Sequence, residues 1–370
     1  MRFSIPTSAL LEAVGQAASV AAVKSPKRIL ECVAIRAKKG SGISIEANDL
    51  DVSLRIELPE AKVDEDGVVV VPASRLGAVL REVAQGAREL TLIGAEQRLD
   101  IDTADCHFRI HGDNPDEFPA IAAFPASGVQ TLPLSTLRGM IERTLFATAR
   151  EPGRFALHGV QVKFGASEVE FVATDGRRLA RVQQPAARGP ATDVRVIVGT
   201  KPLALVGRLS SAPDAKVDLA IEERRIFFRC AGTLLSSRLI DGSFPPYEQV
   251  IPASTGKGFD VKAGDFATAL RRASLLATKE MQSVAMDFGS EKLTITSRSP
   301  DVGEAKVEMT IPYKDAAERL GFNPLFILDA LKVLDPLRDV RFEFTSAKAP
   351  GKLTDGQGYV YVVMPVSTAD

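Results

Sequence analysis

The sequence predicts an α+β fold made of three copies of one small domain, and three observations carry that prediction. Short extended segments run into helix-period patterns three times, at near-constant spacing. A second helix start recurs midway through each third. Between the helices lie short β-like runs broken by Gly, Asp and Pro, so each third reads as two helices and roughly eight strands. The joints fall at 124–128 and 252–258, which gives domains at 1–126, 127–253 and 254–370.

The first helix of each third follows Phe3-Ser4-Ile5-Pro6, Thr131-Leu132-Pro133-Leu134 or Phe259-Asp260-Val261. The leading apolar residues of these helices, Leu10, Leu137 and Phe266, are 127 and 129 residues apart. Ser8, Ser135 and Gly264 stand where an N-cap belongs, since a cap satisfies amides that the first turn leaves open. The second helices are expected at 74–85, 201–209 and 323–334. In the first of these, Leu76, Val79, Leu80 and Val83 form one apolar face at i, i+3, i+4 and i+7. In the last, Asn323 is the expected cap, with Pro324 in the first turn where a missing N–H is harmless.

Strands are expected at 42–46, 50–58, 160–164, 168–173, 225–230, 292–297 and 340–344. The sharpest hairpin signal is Ala173-Thr174-Asp175-Gly176-Arg177-Arg178-Leu179-Ala180. Asp-Gly turns the chain there, because Gly tolerates positive φ and Asp bonds the local backbone. Arg177 and Arg178, just past a rigid turn, suit either the flank of a groove or a solvated edge. Gly40-Ser41-Gly42 reads as a turn and Asp64-Glu65-Asp66 as a solvated loop.

Composition narrows the function classes. The chain has 370 residues and 45% apolar content, ample for several cores. Cys32, Cys106 and Cys230 are odd in number and widely spaced, which suits a reducing compartment and no structural metal. No basic segment leads an apolar one at the N-terminus, and eighteen apolar residues never run together, so a cytoplasmic protein with no membrane contact is expected. The net charge of −1 hides segregation, because the three thirds carry −5, +5 and −1. The expected helices are net positive and the remainder acidic, a pattern suited to sequence-independent contact with a phosphate backbone. His107, His111 and His158 belong to no HExxH or zinc-spaced cluster, and phosphate-loop and nucleophile-elbow motifs are absent. No catalytic residue, metal or cofactor is therefore expected.

Three motifs then carry a resemblance that spans the chain. The 173–180 segment resembles the ATDGHRLA segment of the bacterial sliding clamps, the β subunits of DNA polymerase III. Asp241-Gly242-Ser243-Phe244-Pro245-Pro246-Tyr247 resembles the family's DGRFPDY, and Tyr359-Val360-Tyr361-Val362-Val363-Met364-Pro365 resembles its YVVMP ending. The resemblance implies three clamp domains, each of two helices plus two antiparallel sheets, in a head-to-tail homodimer with helices lining the hole of a ring. It implies a non-catalytic DNA sliding clamp that encircles double-stranded DNA without sequence specificity. The DNA polymerase III α subunit, the clamp loader, other polymerases and repair proteins would dock by peptides in a hydrophobic pocket. A non-ring peptide-binding scaffold of the same fold is an alternative. So is an enzyme on phosphorylated substrates with Asp175 as its acid.

By resemblance the pocket comprises Leu157, Thr174, Gly176, Arg177, Arg178, Leu179, Pro245, Val250, Val362, Val363, Met364 and Pro365, with Arg154 nearby. Arg177 departs from the family's His, and the tail Val366-Ser367-Thr368-Ala369-Asp370 departs from its usual ending. The implied dimer patches are Phe108 with Ile110, and Leu275 with Leu276; Asp105 and His107 stand where relatives carry basic residues. For DNA the expected contacts are Lys24, Arg75, Arg138, Arg143, Lys201, Arg208, Arg271 and Arg272.

Overall fold

The repeat read from the sequence appears as a repeated order of elements in the computed structural model. It describes residues 1–103, 105–150, 155–186, 193–209, 212, 214–254, 257–276 and 283–367. The first third runs β1 (Arg2–Pro6), α1 (Thr7–Val20), β2 (Cys32–Lys38), β3 (Gly42–Asn48), β4 (Val52–Leu58), β5 (Lys62–Glu65), β6 (Gly67–Pro72), α2 (Ala73–Val83), β7 (Glu89–Ala95), β8 (Arg98–Asp102) and β9 (His107–His111). The second runs β10 (Gln130–Pro133), α3 (Leu134–Leu145), β11 (Gly159–Phe164), β12 (Glu168–Thr174), β13 (Arg178–Pro185), β14 (Val194–Gly199), α4 (Thr200–Gly207), β15 (Lys216–Glu222), β16 (Arg225–Cys230) and β17 (Thr233–Arg238). The third runs β18 (Gly258–Lys262), α5 (Ala263–Ala273), β19 (Val284–Gly289), β20 (Lys292–Ser299), β21 (Gly303–Thr310), β22 (Glu318–Phe322), α6 (Pro324–Lys332), β23 (Asp339–Glu343), β24 (Gly351–Thr354) and β25 (Tyr359–Val363). No helix among the described residues is long and apolar enough to cross a membrane.

These elements fall into two compact units, Met1–Ser135 with Lys201–Leu239, and Thr136–Thr200 with Ile240–Asp370. In the first, one sheet runs β5-β1-β7-β8-β9 and the other β10-β15-β16-β17-β4-β3-β2-β6. Its helix α1 buries Leu10, Ala13, Val14, Ala17 and Val20, a helical stripe, while Cys32, Ala34, Val70 and Phe118 form a core cluster. In the second unit, one sheet runs β14-β11-β12-β13-β25-β24-β23-β18 and the other β21-β20-β19-β22. Its core is aromatic: Phe259, Phe266, Phe288, Phe322, Phe342 and Phe344 meet at ring separations typical of tilted and edge-on pairs. Within each unit a strand of one repeat pairs with a strand of the next: β17 with β4, and β25 with β13. The sheets therefore run across the repeat joints.

The helices start slightly earlier than the expected caps, and the reason is physical. Ser8, Ser135 and Gly264 each lie one residue inside their helices rather than ahead of them. The first amide of each helix is met by a main-chain carbonyl: Thr7 N–H bonds Arg88 O at 2.9 Å, Leu134 N–H bonds Ala215 O at 2.8 Å, and Ala263 N–H bonds Arg338 O at 2.9 Å. Gly264 serves close approach, since a Cβ there would lie 2.9 Å from Pro336 O. Asn323 caps α6 as expected, its Oδ1 accepting from Leu325 N–H at 2.9 Å. Two smaller corrections concern loops. Asp64 and Glu65 belong to edge strand β5, and Asp66 accepts from Lys39 N–H at 2.7 Å. Leu50 leaves the strand, with φ 79°, in a turn where Asp49 Oδ1 accepts from Asp51 and Val52 N–H.

Candidate functional site

The Asp-Gly hairpin builds itself from local bonds. Asp175 Oδ1 accepts from Arg177 N–H (2.9 Å) and Arg178 N–H (3.0 Å), and Thr174 Oγ1 donates to Arg178 O at 2.6 Å. Gly176 sits at φ 87°, which its missing Cβ allows. Asp175 is thus engaged in holding a turn, and no acid chemistry is required of it. Strand β25 docks on the outgoing arm of this hairpin, pairing Leu179 with Val362 and Arg178 with Val363, and Met364 N–H bonds Arg177 O at 2.9 Å.

Side chains alternate across a strand pair, so that register sorts the motif onto two faces. On one face Leu179 and Val362 join Val172 and Tyr247, with Phe244, Ile251 and Val360 packed against them. Tyr247 donates its hydroxyl to Glu170, and burial followed by that bond pushes its ionisation well above the ordinary phenol range. Thr174, directly opposite Leu179, closes this face at the turn, and Pro245 is half-buried along the segment that covers it. Val250 and Met364 are exposed at 47% and 39%, large apolar side chains left at the surface. Leu157 and Pro365 are half-buried, and Arg154 lies outside the described residues.

The other face carries Arg178. Its Nε donates to Asp175 at 3.0 Å, Nη1 to Asp329 at 2.8 Å and Nη2 to Phe146 O at 2.9 Å. Its guanidinium lies 4.6 Å from the Phe326 ring centre and 5.4 Å from that of Phe146. Arg178 therefore fixes the turn against α6 and is not free to orient a ligand. Val363 shares this face and is buried, as Val362 and Leu179 are on the other. A cavity of about 290 Å³ opens here, lined by Thr148, Ala149, Arg150, Asp175, Arg177, Arg178, Phe326 and Asp329.

Sequence reasoning missed Val172, Tyr247, Arg150, Phe326 and Asp329. The strand alternation of 359–363 was the available signal, because it separates Val362 from Val363; nothing local marked Phe326 or Asp329 on α6.

The expected DNA residues divide into two groups. Lys24, Arg75, Arg208, Arg271 and Arg272 are exposed, and among the described residues none forms an ion pair. Arg143 instead pairs with buried Asp355 at 3.5 Å and lies over the Tyr359 ring. Lys201 Nζ donates to Asp49 at 2.6 Å and to Val20 O at 2.8 Å. Both therefore hold partners within the chain, Arg143 half-buried and Lys201 exposed. Arg138 is half-buried on α3. Of the dimer candidates, Ile110 is buried and Phe108 half-buried on β9, the last strand of its sheet. Leu276 is half-buried beside Gly303 of β21, and Leu275 is 75% exposed, against ordinary core packing. Beside them, His107 Nδ1 lies 2.5 Å from Asp102 Oδ1, and Arg109 holds Asp100 below the usual carboxylate range. Among the described residues no cluster of His, Cys, Asp and Glu could hold a metal.

Three family models match in order: the N-terminal domain of the DNA polymerase III beta subunit over residues 1–122, the central domain over 131–246 and the C-terminal domain over 248–367. The chain belongs to the DNA polymerase III beta subunit family. The beta sliding clamp of Caulobacter vibrioides is 29% identical over 374 residues, covering 99% of this chain and all of that protein. The Treponema pallidum beta sliding clamp is 28% identical over 374 residues and is covered in full. A Bacillus subtilis sliding clamp structure superposes with a TM-score of 0.93 at 25% identity, covering 100% of both chains. A Pseudomonas aeruginosa clamp bound to griselimycin gives 0.92 at 26%, again over both full chains. The fold is that of three clamp domains, and the family is a non-catalytic processivity factor.

Proposed function

We propose that two copies of this chain close head to tail into a ring around duplex DNA, with three clamp domains, 1–126, 127–253 and 254–370, in each. Sliding clamp function itself follows from the family. The observation that carries the ring is an unfilled place in the repeat. The last strand of the second repeat, β17, pairs with β4, and the last strand of the third, β25, pairs with β13. Among the described residues their counterparts β9 and β21 lie at sheet ends without a cross-repeat partner. A long unpaired edge is a template for another strand. One copy's β9 against another's β21 repeats the same joint and closes the ring, which makes the interface heterologous. Phe108 and Ile110 lie on the first edge, and Leu275 and Leu276 lie beside the second.

In this reading Lys24, Arg75, Arg208, Arg271 and Arg272 meet phosphates, and the Leu179–Val362 face with the adjoining cavity receives peptides from polymerase, clamp loader and repair proteins. Griselimycin bound to the Pseudomonas clamp supports a ligand-accepting surface on this fold. The place of work is the cytoplasm, where bacterial DNA is copied. After loading, the protein should stay on closed circular DNA through gel filtration and be lost once that DNA is linearised. Equal retention on both forms would overturn the ring.

A further inference from the structure

We propose that the cavity beside the Arg178 turn selects acidic peptides, through Arg150 and Arg177. The inference rests on the reading of this region as a peptide-docking site, and adds what kind of peptide it prefers.

Five charged side chains line the cavity, and they are not equivalent. Asp175 and Asp329 both already accept from Arg178, whose guanidinium is buried and stacked on Phe326 and Phe146. Lys332 Nζ also reaches Asp329 Oδ1 at 3.4 Å, so two cations and two carboxylates neutralise one another locally and offer little to an incoming charge. Arg150 and Arg177 are different: both are exposed, and among the described residues neither side chain has an ion pair or hydrogen-bond partner. The unanswered charge of the cavity is thus wholly positive and sits at its rim.

Size and lining argue for what supplies the matching negative charge. At about 290 Å³ the cavity is at the small end of ligand pockets, which suits one or two side chains and not a folded partner. Phe326, Ala149 and Thr148 supply apolar contact beside the cations. Arg177 also bonds Met364 through its main chain, so it stands where the cavity meets the apolar Leu179–Val362 face. A peptide that lays an apolar anchor on that face and crosses the rim therefore passes both guanidinium groups. Arginine favours a carboxylate there, because its planar fork can hold both oxygens. A polyanionic nucleic acid is less suited, since a cavity of about 290 Å³ takes one or two side chains and not a run of phosphates.

The test uses the full chain and two fluorescein-labelled nonapeptides, identical in carrying two leucine anchors but differing in two flanking aspartates or two asparagines. By fluorescence anisotropy in low salt, the aspartate peptide should bind about tenfold more tightly, as expected of two exposed ion pairs. That preference should collapse in the R150Q/R177Q double variant and shrink as salt is raised. Equal binding of the two peptides, or a preference for asparagine, would overturn the selection while leaving the docking site in place. Binding of neither peptide would overturn the docking reading itself. Displacement of the aspartate peptide by a ten-nucleotide oligothymidine at lower concentration than by unlabelled peptide would assign the cations to nucleic acid and refute the proposal.

Discussion

Two strand seams in this molecule share a backbone and differ in chemistry. At the first, β4 pairs with β17; at the second, β13 pairs with β25. Each begins beside the same kind of turn, in which Asp49 or Asp175 accepts from two successive amides. At the first seam the face away from the helices pairs Ser53 with Ser236, whose hydroxyls bond at 2.8 Å and are buried. Its helix-side face presents Leu54 and Leu235 to a cleft of about 250 Å³, bordered by α1 and α4. At the second seam the order is reversed. Leu179 and Val362 give the outer face an apolar floor, while the helix side is filled along the seam by Tyr361, which donates to Phe326 O at 2.7 Å and packs on Phe146, and opens at the turn into the Arg178 cavity. Repetition has copied the scaffold, and four or so side chains per seam decide which face can take a ligand.

The largest test of that contrast is to unseal the second seam. Tyr361 is fully buried. Tyr361→Ala should cost about 3–5 kcal/mol of unfolding free energy, read as a fall in urea midpoint, because it removes an aromatic from a filled interior. Leu235→Ala, which borders an existing cleft in the first unit, should cost only about 2–3 kcal/mol. Equal losses would mean that the two helix-side faces are packed alike, contrary to the cleft at one and the tyrosine at the other.

A second test transplants the first seam's chemistry into the second. Leu179→Ser combined with Val362→Ser removes the apolar floor and keeps the backbone pairing. Losing that floor should weaken binding of the two-leucine peptide by about 50-fold, in line with about 2–3 kcal/mol of lost apolar burial. Retention on closed circular DNA should survive, since neither residue lies on an unpaired edge. Undiminished peptide binding would show that the Arg178-side cavity, and not the Leu179 face, holds the anchor.

The sequence made the scaffold legible and left half of this contrast hidden. Helical spacing from Leu10 to Leu137 to Phe266 announced the repeat, and Asp175-Gly176 announced the hairpin, because those signals are local and periodic. Side-chain partners far apart in the chain were not readable. Arg143 and Lys201 look like free helix cations until Asp355 and Asp49 are found beside them. Likewise the helices begin one residue ahead of Ser8 and Ser135, at Thr7 and Leu134, whose amides bond carbonyls of remote loops. Val362 and Val363, adjacent in the motif, were assigned to one pocket; the pleat alone was enough to part them.

The smallest expected effect separates the two seams most cleanly. Ser53 and Ser236 share a buried hydrogen bond, and Ser236 Oγ also accepts from Arg225 Nη2 at 3.2 Å, so Ser53→Ala leaves the Ser236 O–H without an acceptor and should cost about 1–3 kcal/mol. Replacing both by Ala removes the hydroxyl pair together, and Arg225 Nη2 keeps its bond to Asp51 O at 3.2 Å, so stability should return to within about 0.5 kcal/mol of wild type. A double-mutant cycle on urea unfolding reads the difference as coupling between the two sites. If the double variant is no more stable than the single ones, the Arg225 bond to Ser236, and not the hydroxyl pair, sets the cost. The seam would then be held by its strand register and that bond, and the serine pair would carry no reason for the first outer face to stay without an apolar floor.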